Sequence, residues 1–204
     1  MCGGLSVYTA LKRARLCPGG CVVVCGAGGG LGHLAIQYAK AMPGYVIALD
    51  RGSKKQFCLG LGADVFLDFV AFDTPKGLEE EIKRVTNGGA SIALICTSSN
   101  AAYSQAMSWL GFRGTLACLG IREKEGCLVP RVIDMVGNEL RIIGKLYRPS
   151  SLNLAPLKHP IANKTGNRLD ARECLEIARQ GRIKVQRQIR PMTELTQVCT
   201  QTNC

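Results

Sequence analysis

Cys21-Val22-Val23-Val24-Cys25-Gly26-Ala27-Gly28-Gly29-Gly30-Leu31-Gly32-His33-Leu34-Ala35 is the stretch that decides the fold. Cys21 to Cys25 is a short continuous apolar run, which suits a strand covered on both faces. The glycine-rich segment Gly26 to Gly32 lets the backbone turn sharply. His33 to Met42 then places Leu34, Ala35, Tyr38 and Ala39 at helical spacing. The whole reads as strand, glycine loop, helix.

The same rhythm continues outward in both directions. Leu5 to Arg15 has Leu5, Tyr8 and Leu11 at helical spacing and stops at the turn Cys17-Pro18-Gly19-Gly20. Downstream, Tyr45 to Leu49 is a strand ending at Asp50, Lys54 to Leu61 a helix stopped by Gly62, and Val65 to Leu67 a strand. Leu78 to Val85 and Ala101 to Leu110 read as helices, and Ile92 to Cys96, Thr115 to Leu119 and Leu140 to Ile143 as strands. Parallel strands joined by helices need right-handed crossovers over the sheet faces. The expected fold class is therefore α/β, a doubly wound parallel sheet of about six strands with a Rossmann-type arrangement. Arg148 to Lys164 carries Pro149, Pro156 and Pro160 without periodicity and reads as an irregular loop. Asp170 to Gln180 recovers helical character, with Gly181 as its stop.

A glycine loop opening a helix is chemistry as well as geometry. Helix-start N–H groups left without partners bind an anion, aided by the helix dipole. The second strand ends at Asp50, 20 residues beyond Gly30, where a carboxylate can accept hydrogen bonds from the ribose hydroxyls of a dinucleotide. A carboxylate there repels a 2′-phosphate, which favours NAD over NADP; the neighbouring Arg51 works against that preference. The plainer alternative is a tight turn in an α/β core. The strand before, the helix after and the acid at the second strand end together favour a dinucleotide.

Composition narrows the class. The 204 residues are 47% hydrophobic and 20% charged, ordinary for a globular chain and enough for one full domain. No run approaches the roughly 20 apolar residues of a membrane span, and the first residues lack a secretory pattern. A cytoplasmic location with no membrane partner is expected. Of the net charge of +11, +9 falls between Arg141 and Arg190, with no stacking aromatics or nucleic-acid motif, which argues for a solvated basic face and against a nucleic-acid partner. The eleven cysteines form no Cys-x-x-Cys pair and the only histidines are His33 and His159, so no complete metal site can be assembled from the chain. Cys25, Cys96 and Cys118 lie in apolar runs and read as buried, reduced thiols.

The run from Val24 to Gly32 with Leu34 to Met42 closely resembles the coenzyme domain of zinc-dependent alcohol dehydrogenases, the fungal, yeast-type members of the medium-chain dehydrogenase/reductase family. Cys2 to Tyr8, Leu61 to Asp64, Phe66 to Phe69, Thr86 to Ala90 and Gly166 to Glu173 are similar to it as well. The resemblance implies NAD as cofactor, an alcohol or aldehyde as substrate and zinc-assisted hydride transfer. It places Gly29, Gly30 and Leu31 at the pyrophosphate and Asp50 at the adenosine ribose, with Lys55, or its neighbour Lys54, beside it. Phe69 would flank the adenine, and Thr97, Leu119 and Ile121 the way to the nicotinamide. Cys2 matches one family zinc ligand.

The family's remaining zinc ligands lie before the matching region. The expectation is thus a segment 1–18 leading from a catalytic domain, a dinucleotide-binding domain 19–147, an insertion 148–164 and a C-terminal helix and tail 165–204, with no catalytic residue of its own and no turnover in isolation. The resemblance departs at Lys145, where the family has a small polar residue, and at 148–164, which the family lacks. Other readings are a zinc-independent quinone-reductase-like member using NADPH, or a non-catalytic NAD(H)-sensing or interaction module whose exposed sheet edge pairs with a second copy. A methyltransferase fits the glycine loop less well. A short-chain dehydrogenase needs Tyr-x-x-x-Lys, which neither Tyr38 nor Tyr103 supplies.

Overall fold

A computed structural model describes residues 2–120, 132–144, 166–187 and 191–194. Val22, Val23 and Val24 are wholly buried in β1 (Cys21–Cys25), as a strand covered on both faces requires. Around it stand β2 (Tyr45–Asp50), β3 (Val65–Asp68), β4 (Ala90–Ile95), β5 (Leu110–Cys118) and β6 (Arg141–Gly144). All pair in parallel, in the order β3-β2-β1-β4-β5-β6. β1 is therefore where the chain, having built outward through β2 and β3, returns to build the other way. Ligands of such sheets bind beyond the strand ends at that point.

The helices are α1 (Cys2–Arg13), α2 (Gly32–Ala41), α3 (Lys55–Gly60), α4 (Pro75–Val85), α5 (Asn100–Ala106), α6 (Val132–Gly137) and α7 (Arg168–Arg179). Period-2 alternation along the strands divides the core into two. Val22, Val24, Val46, Ala48, Ile92 and Leu94 join α1, α2, Cys58 and Cys174 in one cluster. Val23, Cys25, Ile47, Leu49, Ala93 and Ile95 join α4, α5 and Trp109 in the other.

Side-chain caps explain the starts of α4, α5 and α7. Thr74 accepts the Gly77 N–H and precedes Pro75 at the first turn of α4, where a missing donor costs nothing. Ser99 caps α5, and Asn167 with Asp170 forms a reciprocal capping box on α7. α2 differs: Leu31 occupies its cap position and no side chain accepts its first amides.

The largest departures from the sequence reading fall at α5, β5 and α6. α5 ends at Ala106, and Leu110 opens β5 five residues before the expected strand. Gly89 is the residue that must be glycine here: it has a positive φ and its Cβ would sit 2.4 Å from the Gly111 N, where the register shifts between Ala90 and Ile92. α6 was not expected: its Val132, Ile133 and Val136 are exposed, so six residues carry no buried periodic face to read. Ile121, Lys145 and the 148–164 segment lie outside the described residues.

Among the described residues no helix is long and apolar enough to cross a membrane.

Candidate nucleotide-binding site

Gly26, at the end of β1, has φ +75 and turns the chain; its carbonyl accepts the Gly29 N–H at 3.1 Å. Gly32 carries the tightest requirement of the loop. A Cβ there would sit 2.0 Å from the Gly26 oxygen and 2.6 Å from the Ala27 Cα, so only glycine lets α2 start this close to β1. Between them Gly29 and Gly30 are exposed and Leu31 is half-buried. The amides of Gly30 and Leu31 have no acceptor among the described residues. Free N–H groups at the start of an uncapped ten-residue helix are the arrangement that receives a phosphate.

Asp50 closes the loop from the side of β2. Its Oδ2 accepts the Gly28 N–H at 2.7 Å and its Oδ1 the Arg51 N–H at 2.8 Å. Two backbone donors hold the carboxylate in one orientation, and each oxygen keeps a second lone pair for a ligand hydroxyl. Lys54 lies across the loop: a Cβ on Gly28 would meet its Cγ at 2.8 Å. Lys55 is exposed at the start of α3, so of the two lysines it is Lys54 that packs on the glycine loop.

Beside the loop, a cleft of about 670 Å³ opens between α4 and α5 at the ends of β1, β2 and β4. That is within the range of small-ligand sites, roughly 300–1,000 Å³. Asp50, Phe69 and Thr97 line it together, with Ala101 and Trp109 on the α5 side. Phe69 is 43% exposed, available as an apolar wall for a ring. Cys25 also lines the cleft, and burial with the nearby Asp50 carboxylate pushes its thiol up to about 12, so it stays protonated. Leu119 stands elsewhere, buried in the cluster under α1 and α2; its N–H and that of Gly120 both donate to the Ile95 carbonyl, tying the ends of β4 and β5. The structure thus gathers Asp50, Phe69 and Thr97 in one cleft, sets Gly29, Gly30 and Leu31 on the adjoining loop, and keeps Leu119 in the core.

Cys2 is exposed at the start of α1, and among the described residues no three His, Cys, Asp or Glu side chains group as a metal site. These residues do not make a zinc site. They do suit a dinucleotide, since unpaired loop amides and an oriented carboxylate face it.

Residues 30–152 match the family model described as zinc-binding dehydrogenase. The chain belongs to that family. It is 36% identical over 204 residues to alcohol dehydrogenase 2 of Emericella nidulans, an alignment spanning 97% of this chain and 51% of the relative. To the alcohol dehydrogenase of Schizosaccharomyces pombe it is 33% identical, over 97% of this chain and 51% of the relative. The chain therefore spans about half the length of the curated relatives it matches. Its fold is similar to the alcohol dehydrogenase of Aeropyrum pernix, with a TM-score of 0.78 and 28% identity over 98% of this chain and 52% of that one. The acetophenone reductase of Geotrichum candidum, solved in complex with NAD, shares the fold at a TM-score of 0.71 and 22% identity, over 98% of this chain and 50% of that one.

One pattern escaped the sequence reading. Tyr8-x-x-x-Lys12 has the spacing of a short-chain dehydrogenase pair, but on α1 it does other work. The Tyr8 hydroxyl donates to Glu173 Oε2 at 2.7 Å, and the Lys12 ammonium donates to Asp170 and Glu173. The pair docks α7 on α1, away from the cleft.

Proposed function

We propose that this chain is the NAD(H)-binding half of an alcohol dehydrogenase-like oxidoreductase. The observation that carries the reading is the start of α2, where the Gly30 and Leu31 amides have no acceptor among the described residues and stand near a carboxylate that two backbone donors hold in place. In this reading the pyrophosphate lies on those amides, Asp50 receives the ribose hydroxyls, the adenine enters the cleft against Phe69, and Thr97 stands on the way to the nicotinamide. NAD supplies hydride acceptance when bound; the residues here bind and orient it. The family relatives named alcohol dehydrogenase support an alcohol or aldehyde as the substrate of the whole protein, with zinc ligands supplied from outside the described residues; the absence of an apolar helical span among the described residues fits a cytoplasmic location. Asp50 supports NAD over NADP, because a second negative charge beside it is repelled.

The sheet edge supports self-association. Among the described residues β6 pairs with β5 alone and ends the sheet, and its Ile142 is 38% exposed. A second copy pairing edge to edge would cover it. Light scattering should report a dimer that Ile142→Lys converts to monomer.

The cofactor reading is tested by fluorescence. Trp109 is the chain's one tryptophan and lines the cleft, so NADH binding should quench it with a micromolar midpoint, and NADPH should bind at least tenfold more weakly. Equal binding of both nucleotides would remove the NAD assignment, and binding of neither would remove the function.

A further inference from the structure

His33 follows Gly32 in the first turn of α2 and is 6% exposed. Its Nδ1 donates to the Gly29 carbonyl at 3.0 Å, and the same carbonyl accepts the His33 backbone N–H at 3.0 Å. The Gly29 carbonyl and the Gly30 N–H belong to one trans peptide plane and point in opposite directions. Fixing the carbonyl inward therefore fixes the Gly30 N–H outward, toward the place where an anion would sit.

The other edge of the imidazole is also engaged. Nε2 accepts the Gln186 N–H at 3.4 Å. A carbonyl can only accept and an amide N–H only donate, so the two partners select the neutral tautomer protonated on Nδ1. Gln186 belongs to a strap laid along α2 from its C-terminus to its start. The Arg182 guanidinium donates to the Ala41 carbonyl at 3.0 Å. The Lys184 N–H donates to Gln37 Oε1 at 2.6 Å and the Lys184 carbonyl accepts Gln37 Nε2 at 3.0 Å. Residues 182, 184 and 186 thus meet 41, 37 and 33. Two residues of extended chain advance about 6.6 Å, and four residues of helix about 6 Å, so the fastenings stay in step along the helix.

We propose that His33 is a positioning residue for dinucleotide binding, aiming the Gly30 N–H at the pyrophosphate while the 182–186 strap holds the imidazole in place. The inference rests on the cofactor reading above for its ligand, and on hydrogen bonds of the free protein for its geometry. Each nitrogen can be imitated separately. Asparagine presents a donor near the Nδ1 position, and glutamine an acceptor near the Nε2 position.

The test measures NADH affinity together with the backbone amide resonances of Gly29 to Leu31 in nucleotide-free, ¹⁵N-labelled protein. His33→Ala should weaken NADH about tenfold, as expected for loss of an aligned hydrogen-bond network, and should shift and broaden the Gly30 resonance. His33→Asn should restore the resonance and bring affinity within about threefold of wild type. His33→Gln, which keeps only the strap contact, should behave like alanine. Gln37→Leu, which loosens the strap and leaves the Nδ1 donor in place, should cost about threefold. Should the alanine variant fail to fold, the asparagine–glutamine contrast decides. Equal affinities and unchanged Gly30 resonances across the variants would overturn the proposal. If wild type does not bind NADH while the Gly30 resonance still follows the donor at position 33, the cofactor reading falls and the positioning of the loop stands.

Discussion

Val22, Val46 and Ile92 point to one face of the sheet, and Val23, Ile47 and Ala93 to the other, yet the two faces end up differently closed. On the first, α1, α2 and α7 bring bulky and charged partners. Tyr8 and Tyr38 meet at 5.9 Å between ring centroids, Tyr38 bonds to Cys174, and Lys12 bridges Asp170 and Glu173. On the second, α5 presents Ala101 and Ala102 where it faces α4, and the space they leave is the cleft. The strands have one apolar pattern throughout. The first face is closed by ring contacts and ion pairs between its covering helices, and the second opens where Ala101 and Ala102 look toward α4. One face holds the flanking helices of the chain together, and the other leaves a cleft beside the glycine loop.

The largest effect is expected at the seam of the sealed face. Gly32→Ala forces a Cβ to within 2.0 Å of the Gly26 oxygen, and thermal denaturation should show a loss of about 3 kcal/mol or outright failure to fold. A variant melting like wild type would mean that the close approach of α2 to β1 is not required.

Next in size is the open face. Asp50→Asn should weaken NADH about 30-fold, or about 2 kcal/mol for a charged hydrogen-bond acceptor, and narrow the preference over NADPH. Titration of both nucleotides checks this, and an unchanged ratio would detach Asp50 from cofactor choice.

Acid should loosen the sealed face first. Glu173 is held below the usual carboxylate range by Lys12 and Tyr8. For Asp170, burial pushes upward, but the Asn167 N–H and Lys12 outweigh it and the net direction is down. Depressed carboxylates contribute stability that is present above the ordinary carboxylate range, near 4, and is lost as pH falls through their lowered values. Lys12→Met should cost about 1 kcal/mol at neutral pH and flatten the loss between pH 5 and pH 2, on the order of the carboxylate titration range. Melting curves across pH measure it, and equal slopes in the two proteins would refute the linkage.

Ala101→Leu should move stability least, within about 0.5 kcal/mol for an exposed helix position. Because Ala101 lines the cleft, the same change should weaken NADH severalfold. Parallel melting and nucleotide titration give both numbers, and unchanged binding would place the adenine outside the cleft.

Most of the fold was legible because it is written locally. Val22-Val23-Val24 can satisfy its apolar side chains only by burial on both faces, and the turns at Pro18-Gly19-Gly20 and Pro43-Gly44 isolate the strands that flank it. The glycine loop and Asp50 were legible for the same reason, being fixed by spacing along the chain. β5 was misread because its first residues pair at Gly89 and Ala90, about twenty positions away, across a shift of register, and α6 because a six-residue helix with an exposed apolar side offers no periodicity. Lys54 at the loop, the docking role of Tyr8 and Lys12, and the part of Trp109 in the cleft all depend on partners distant in sequence.

By itself the sequence determined the alternation of strands and helices, the turn that begins α2 and the acid at the end of β2, since each follows from hydrophobic period, backbone freedom and short spacing. Only the tertiary structure decided that His33 faces both Gly29 and Gln186, that α7 docks on α1 through Lys12, and that small side chains on α5 leave a cleft beside the loop. Those contacts join residues up to 161 positions apart, and no periodicity along a chain specifies which distant side chain will stand within hydrogen-bonding reach.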